Sequence, residues 1–289
     1  MRAECFSLSV LRLVVLALCL CFWGAVSFAT QPGQQERRLV SLAPSATEWI
    51  VALGLEGRLQ GITEQCDFPP HIRNRQKVGS YMRASFERIL ALRATDVVTA
   101  DALPEILRRR LEAAGVRVHV FAPQRFDDFP MRIRELGVAL GVPQAAESWS
   151  EKFRAAAQLS SQEVLKSKIK PRRSLMFVSV DPVYLVGHSQ WLSDLFKLSG
   201  FENAFTDARA RDAFPRVSLE VLAQIDAQIW FGFGESEPMK ASQRNRLLLL
   251  SQRFSRRWQP DIRVVSADVF QRPGPRLLEA LAQLRSLGL

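Results

Sequence analysis

Cysteine and histidine are scarce in this 289-residue sequence, which contains four cysteines and three histidines. Beyond the first 30 residues Cys66 is alone, so an exported form of the chain could form no intrachain disulfide. No two histidines are close enough in sequence for a local metal-ligand motif: His71, His119 and His188. Without a disulfide the fold must be stabilised by its core, and the 47 % hydrophobic content is sufficient for one or two.

Motifs of covalent catalysis and of nucleic-acid binding are also missing. There is no Gly-x-Ser-x-Gly elbow. A nucleophilic Cys66 would need a base, and the nearest histidine in sequence, His71, follows two prolines. An exported hydrolase is therefore the least favoured hypothesis. The excess of 39 basic over 29 acidic residues is dispersed, with its densest point at 108–110. No aromatic residues are interleaved with it, so nucleic-acid binding is not expected.

A long apolar run occurs at the N-terminus, where positions 13–23 follow two arginines. This run is short of the roughly 20 residues that a membrane-spanning helix needs. The small-residue sequence SFA at 27–29 fits a signal-peptidase site. Cys19 and Cys21 each follow a leucine, whereas lipidation requires a small residue before the cysteine. We therefore predict a cleaved signal peptide over 1–29, and the mature chain keeps 37 basic and 28 acidic residues.

Short apolar strands alternate with amphipathic helices along the rest of the chain, a pattern typical of parallel sheets covered on both faces. In the middle of the chain the alternation stops, and apolar residues fall near helical spacing over roughly seven turns. The sequence predicts an α/β protein with two Rossmann-like lobes, at 30–143 and 171–289, joined by one long helix over 144–170. Ser45 is expected to cap an early helix, with Glu48 completing a capping box.

One unit of the sequence occurs twice, as SFERILALRATDVV from Ser85 and as SLEVLAQIDAQIW from Ser218. Each copy has serine, an apolar residue, glutamate, a short helical pattern and a strand. Glu87 and Glu220 are 133 positions apart and fall in the first helical turn, where the helix dipole favours an acid by roughly 0.3–1 kcal/mol. The dipole accounts for either acid singly, and spacing alone leaves chance recurrence open.

The first lobe carries RLVSLAPSATEWIVALGLEGRLQGITEQCDFPP, followed by KVGSY and SFERILALRATDVV. These segments resemble the periplasmic substrate-binding proteins of ABC importers for cobalamin and related metal chelates. The match is dense over 38–99 and continues thinly through FPRVSLE and DVFQRPGPR, and CDFPP favours the corrinoid-binding branch. The resemblance implies a class III fold with a ligand cleft between two lobes. It further implies no enzymatic activity, no resident cofactor or metal, a periplasmic location and the permease subunits of an ABC importer as partners.

The resemblance also implies ligand-binding roles for five residues. Tyr81 matches an aromatic at the cleft mouth, and Phe214 and Tyr184 match other cleft aromatics. Asp268 and Arg272 match a pair that can hydrogen-bond the amide and phosphate periphery of the ligand. For the aromatics the alternative is packing within their own lobe. For the Asp–Arg pair it is a mutual surface ion pair, which contributes roughly 0.2–1 kcal/mol.

The two glutamates of the repeated unit match acids that dock with arginines of the membrane subunits. A two-lobed binder that meets a two-fold transporter would present one acid on each lobe, which explains why Glu87 and Glu220 occur in equivalent units. Cys66 is a family position without a catalytic role, and His188 could reach the metal of a bound chelate.

The sequence departs from the family at several positions that are expected to line the cleft. Cobalamin binders often carry tryptophan where this chain has Tyr81, Phe214 and Val269, and Asp101 falls where some relatives carry another aromatic. A different chelate, haem or a ferric siderophore, therefore remains an alternative to a corrinoid. The expected function is capture of cobalamin or a related corrinoid and its delivery to an ABC importer.

Overall fold

A computed structural model describes residues 37–206, 212–254 and 259–288, so the predicted signal peptide lies outside the described residues. The first lobe is built on a five-stranded, all-parallel sheet. Its elements in chain order are β1 (Leu39–Ser41), α1 (Pro44–Ala52), β2 (Leu59–Ile62), β3 (Gln76–Lys77), β4 (Gly79–Ser80), β5 (Arg83–Ala84), α2 (Phe86–Ala91), β6 (Asp96–Thr99), α3 (Glu105–Ala113), β7 (Arg117–Val120) and α4 (Phe129–Leu140).

The strand order in this sheet is β3-β2-β1-β6-β7, so β1 and β6 are central. Both are short apolar runs with no exposed surface at Leu39, Val40, Val97 and Val98. Helices cover both faces of such a sheet, which is why its strands lack polar alternation. The carboxyl ends of β1 and β6 lead into the loops at 42–43 and 100–104, on one edge of the lobe.

The second lobe has four parallel strands in the order β10-β8-β11-β12. A further strand, β9, runs antiparallel to β8 as a hairpin and is an exception to the otherwise parallel arrangement. The elements are β8 (Arg172–Val180), β9 (Val183–Leu185), α6 (Trp191–Lys197), β10 (Phe201–Asn203), α7 (Leu219–Leu222), β11 (Ile229–Gly234), α8 (Glu237–Ser251), β12 (Asp261–Ser266), α9 (Ala267–Phe270) and α10 (Leu277–Gly288).

The helix α5 (Pro143–Ser167) connects the lobes. Proline at its first position suits a helix start, because the missing N–H would have no partner there. Helix α4 packs along it so closely that a Cβ on Gly137 would lie 2.1 Å from Cβ of Ala146. The rings of Phe129 and Phe153 stack between the two helices with centroids 5.2 Å apart. The predicted fold class, two α/β lobes with parallel-type sheets and one long backbone helix, is confirmed.

The expected capping box at the start of α1 is wrong. The helix begins at Pro44 with Ala43 as N-cap and no side-chain cap, so Ser45 and Glu48 lie inside the helix and are buried. Glu48 points away from its own helix terminus and binds Arg276 of the other lobe. The sequence analysis also did not identify α4 and α8. Within the described ranges, every helix is too short or too polar to cross a bilayer.

Candidate ligand-binding site between the lobes

A cavity of about 490 Å³ lies between the two lobes. The first lobe contributes loops that follow β1, β2, β4, β6 and β7. The second lobe contributes the start of α6 and the loops before α7, after β11 and after α9. The lining residues are Ala43, Pro44, Ser45, Gln65, Tyr81, Ala100, Asp101, Ala122, Pro123, Gln124, Gln190, Trp191, Ala213, Phe214, Glu235, Gln271, Arg272 and Pro273. The cavity is therefore a cleft at a lobe interface, the usual position of a ligand site.

Tyr81 stands at the tip of a tight hairpin on the first lobe. Ser80 pairs with Arg83, which leaves Tyr81 and Met82 as the two turn residues. The hairpin requires glycine at position 79, where φ is +118° and a Cβ would lie 2.4 Å from the carbonyl oxygen of Arg83. Gly79 therefore allows the tight hairpin of the KVGSY motif, and this hairpin places Tyr81 in the wall of the cleft.

Polar contacts fix this tyrosine in place. Its backbone N–H donates to Oε1 of Gln65 at 2.7 Å, and its hydroxyl donates to the carboxylate of Asp101. Burial raises the pKa of Asp101. Tyr81 is 36 % exposed, so part of the residue is accessible to a ligand. The family resemblance indicated Asp101 only as a position where some relatives carry an aromatic residue. In the structure its carboxylate accepts the hydrogen bond from the Tyr81 hydroxyl and so orients that ring.

Phe214 and Trp191 form the aromatic wall on the second lobe. Phe214 is 45 % exposed, which is unusual for a phenylalanine and is consistent with a contact surface for an apolar ligand. Trp191 is nearly buried and lies at the start of α6. The sequence analysis identified Phe214 but not Trp191, because a tryptophan that begins a helix is usually a core residue.

Arg272 lines the cleft, but two carboxylates of the protein itself, those of Asp67 and Asp268, already bind its guanidinium group. Nη1 donates to Oδ1 of Asp67 at 2.6 Å, and Nη2 donates to Asp268. Burial opposes the charge of Arg272, but the hydrogen bond and charge of Asp67 raise its pKa above the usual value. Conversely, burial is outweighed at Asp67 by Arg272, which lowers the pKa of that carboxyl. Asp268 thus orients Arg272 and is not among the residues that line the cleft.

A buried ion pair lies behind Arg272. Glu48 of α1 accepts two hydrogen bonds from Arg276, at 2.6 and 3.1 Å, and lies 3.7 Å from Arg272. Burial raises the pKa of Glu48, while the hydrogen bond and charge of Arg276 oppose this rise. A Cβ at position 274 would lie 2.7 Å from Oε2 of Glu48, so a larger residue there would displace the end of the Glu48 side chain. This set joins the first lobe to the segment that carries Arg272.

A second ionic link joins Arg125 of the first lobe to Asp194 of the second. Arg125 donates to Asp194 through both Nε and Nη2, and the backbone N–H of Phe126 donates to Oδ2 of Asp194 at 3.0 Å. The hydrogen bonds that Arg125 donates to Asp194 raise the pKa of Arg125, although partial burial opposes this rise. Both links hold charged groups in charge-assisted hydrogen bonds, which restricts separation of the lobes.

Tyr184 is not brought to the described wall of this cleft. It lies on β9, opposite Ser179 of β8, and forms a bridge with Arg216. Its role as a ligand contact stays a prediction from the family resemblance. The three histidines have other surroundings. His71 contacts Glu56 at 2.8 Å, His119 contacts Asp96 at 2.8 Å, and His188 is exposed.

No cluster of metal-ligating side chains occurs among the residues that the structure describes. Cys66 is buried, with Sγ 3.1 Å from Oγ1 of Thr63. A buried thiol beside a hydroxyl, without a histidine partner, is a structural residue.

Glu87 and Glu220 are exposed and lie outside the described wall of the cleft. Each follows a serine N-cap: Ser85 accepts from the N–H of Arg88, and Ser218 accepts from that of Val221. A backbone hydrogen bond in the first turn, with help from Arg110 at 3.0 Å, lowers the pKa of Glu87. The Ser218 side chain lowers the pKa of Glu220. Both acids are therefore ionised and accessible at neutral pH.

Comparison with known proteins identifies the family. The model of a family described as periplasmic binding protein matches residues 39–255. Vitamin B12-binding proteins of Pectobacterium atrosepticum and Vibrio parahaemolyticus are each 26 % identical. The first is matched over 92 % of this chain and 94 % of its own length, and the second over 91 % and 92 %.

Solved structures share the fold. The periplasmic vitamin B12-binding protein of Vibrio cholerae aligns with a TM-score of 0.68 at 24 % identity, covering 86 % of this chain and 95 % of that one. A periplasmic heme-binding protein from Pseudomonas aeruginosa aligns with a TM-score of 0.74 at 24 % identity, covering 87 % and 92 %. The predicted family is confirmed. The chain belongs to the periplasmic binding protein family, and it is a substrate-binding protein rather than an enzyme.

Proposed function

We propose that the protein captures cobalamin or a related corrinoid in the interlobe cleft and delivers it to an ABC importer. The observation that carries this proposal is the composition of the cleft wall, with aromatic side chains on both lobes and amide side chains between them. The aromatic residues are Tyr81, Trp191 and Phe214, and the amides are Gln65, Gln124, Gln190 and Gln271.

A corrin ring is broad and largely apolar, with amide groups on its rim. Aromatic faces suit the ring, and glutamine side chains suit the rim because each can both donate and accept hydrogen bonds. Two relatives that align with this chain over more than nine tenths of their own length are named vitamin B12-binding proteins. Their names support the same ligand here.

Haem is the second candidate, and Tyr81 is the observation that favours it. A tyrosine oxygen is one of the ligands that proteins offer to haem iron. In this cleft the hydroxyl already donates to Asp101, so iron would have to compete with that hydrogen bond. The lining also presents Asp101 and Glu235 among its charged groups, which is less suited to the two propionates of haem than to neutral amides.

Delivery to the importer would use Glu87 and Glu220, as the resemblance implies. Export would remove residues 1–29, which Edman sequencing of the protein recovered from the periplasm would test through the expected new N-terminus at Thr30. The affinity from two exposed acids would be modest, and their main contribution would be the orientation of the complex.

The test of the ligand is calorimetric titration of residues 30–289 with cyanocobalamin, beside haemin and a ferric siderophore. One-to-one binding of cyanocobalamin at micromolar affinity or tighter, without binding of the other two, is the expected result. Binding of haemin or the siderophore alone would overturn the corrinoid proposal and leave the family assignment intact.

A further inference from the structure

A concave surface on the second lobe lies beside Glu220, separate from the interlobe cleft. It encloses about 640 Å³ and has three walls: the β8–β9 hairpin at 180–183, the segment 216–220, and the last part of α8. Its floor is apolar and at most 9 % exposed at each position: Val180, Val183, Val217 and Leu250. These four residues belong to the hydrophobic core of the second lobe, so the fold itself determines the shape of this concave surface.

Three exposed arginines surround this concave surface: Arg216, Arg246 and Arg253. Among the described residues, none of the three forms an ion pair. Some exposed arginines have carboxylate partners, as Arg108 has with Glu105 and Glu112 at 2.8 Å. Other exposed arginines, such as Arg88 and Arg244, form no ion pair among the described residues, so what distinguishes the three is that they gather around one concave surface. Asp181 and Glu220 line the same surface but form no ion pair with the arginines. The three arginines outnumber the two acids of this lining, so the surface carries a net positive charge that favours an anionic group.

The neighbours of these arginines indicate a protein rather than a soluble anion. Leu219 and Leu249 line the surface together with the arginines and are 37 % and 64 % exposed, and Val221, next to Glu220 in sequence, is 43 % exposed. Exposed aliphatic side chains next to arginine are typical of protein–protein interfaces, where the planar guanidinium group binds carboxylates in a bidentate manner. A small inorganic anion would use the arginines and leave the leucines without a partner.

We propose that this surface, the arginine socket, receives an acidic side chain and an apolar neighbour on a projecting segment of the permease subunit that faces the second lobe. The inference rests on the proposed delivery to an ABC importer and assigns a new contact to it. Glu220 would meet a cation of the permease, and the arginine socket would meet one of its acids. The contact would therefore carry both signs of charge.

The first lobe differs at the equivalent place. Glu87 is bonded to Arg110, and the Arg110 guanidinium also stacks on Phe86 at 3.9 Å from the ring centroid. The cation that contacts Glu87 is thus engaged within its own lobe, whereas the three arginines that line the concave surface with Glu220 form no ion pair among the described residues. The arginine socket would make the second lobe the stronger electrostatic contact of the two.

The experiment measures binding of residues 30–289 to the corrinoid importer of the same bacterium in lipid nanodiscs, by surface plasmon resonance. The test variant is Arg246→Glu, which reverses a charge in the arginine socket. The matched control is Arg244→Glu, a substitution of an exposed arginine on the same helix that does not line the concave surface. We expect Arg246→Glu to raise Kd for the importer at least tenfold and Arg244→Glu to change it less than twofold. Cyanocobalamin affinity should be unchanged in both variants, since neither residue lines the cleft.

Three outcomes would overturn the inference. The first is an equal effect of the two variants on importer binding. The second is binding to empty nanodiscs with anionic phosphatidylglycerol that is lost in Arg246→Glu, which would make the surface a lipid contact. The third is a loss of importer binding in Glu220→Ala without any change in Arg246→Glu. This result would refute the role of the arginine socket and would leave the proposed role of the docking acids intact. Absence of importer binding by the unsubstituted protein would instead overturn the proposed function itself.

Discussion

Glu48 and Arg276, 228 residues apart in sequence, form a buried two-point ion pair that joins the lobes. The carboxylate lies in the first α-helix, and the guanidinium lies just before the last. Around them Trp49 donates from Nε1 to the carbonyl oxygen of Pro273 at 2.9 Å, and Arg276 covers the ring of Phe68 at 4.1 Å. The segment that carries Arg272 to the cleft is therefore held by the opposite lobe.

Substitution of Glu48 by alanine should lower the free energy of unfolding by about 3–5 kcal/mol, since it leaves Arg276 buried without its partner. The exposed pair of Glu105 with Arg108 serves as the control, and Glu105→Ala should cost no more than about 1 kcal/mol. Urea denaturation followed by circular dichroism measures both. Similar costs for the two substitutions would show that the interlobe pair contributes no more than a surface pair.

Acid should destabilise the protein through Asp96, a fully buried carboxylate on β6. Burial opposes its ionisation, but hydrogen bonds from His119, Arg117 and Thr95 hold its pKa well below the usual range. In the folded state Asp96 therefore binds a proton only at lower pH than in the unfolded state. Its stabilising contribution is complete above the unfolded pKa of about 3.9 and is lost as the pH falls through the lower folded value.

Asp96→Asn should accordingly reduce stability at pH 7 and flatten the fall of unfolding free energy between about pH 5 and pH 2. The measurement is urea denaturation across this range, with the exposed Asp226→Asn as a control for the general effect of charge removal. Parallel curves for Asp96→Asn and the unsubstituted protein would refute the assignment of this pH dependence to Asp96.

The two tyrosines of the sequence provide a matched pair for the cleft. Tyr81→Ala should weaken cyanocobalamin binding at least tenfold, about 1.4 kcal/mol, because it removes an aromatic face of the wall. Tyr184→Ala should change affinity less than twofold, because Tyr184 lies away from the described wall. Calorimetric titration decides the matter. Equal losses would restore the ligand role that the resemblance implies for Tyr184.

Removal of the hydroxyl alone separates ring contact from orientation. Tyr81→Phe breaks the hydrogen bond to Asp101, which is worth about 0.5–1.5 kcal/mol, so a two- to tenfold loss of affinity is expected. If Tyr81→Phe binds as tightly as the unsubstituted protein, the Asp101 carboxylate has no part in orienting the ring.

The double variant Glu87→Gln, Glu220→Gln should bind cyanocobalamin normally and bind the importer more weakly, with a reduced dependence on salt. Glu237→Gln is the control, since Glu237 is also an exposed acid in the first turn of a helix on the second lobe. A similar effect of the control would mean that any first-turn acid contributes, and the special role of the repeated unit would be refuted.

The sequence predicted the lobes well because local patterns determine them. Apolar runs such as the one that becomes β11 can form little except buried strands, and the absence of strand signals around Trp149 left a helix as the remaining choice. The capping box failed for the opposite reason. A serine followed by glutamate three residues later is a local signature, but the helix starts at Pro44, two residues before the start that a Ser45 cap predicts. The true partner of Glu48 then lies in the other lobe.

The cleft could be predicted only where the family motif names a residue. Tyr81, Phe214 and Arg272 match motif positions and line the cavity. The glutamines do not belong to one motif: Gln65 and Gln271 are about two hundred positions apart and meet only after both lobes have folded. No periodicity or spacing in a single sequence encodes such a meeting.

The contact of Gly137 with Ala146 has a mechanical consequence for the whole molecule. Because only the methyl group of Ala146 separates α4 from α5 at that point, the two helices pack as one unit that is stiffer than a single helix. A pair of closely packed helices resists bending more than a single helix does. Relative motion of the lobes is therefore expected as a small twist about a stiff axis, and the cleft opens at its mouth while its floor keeps its width.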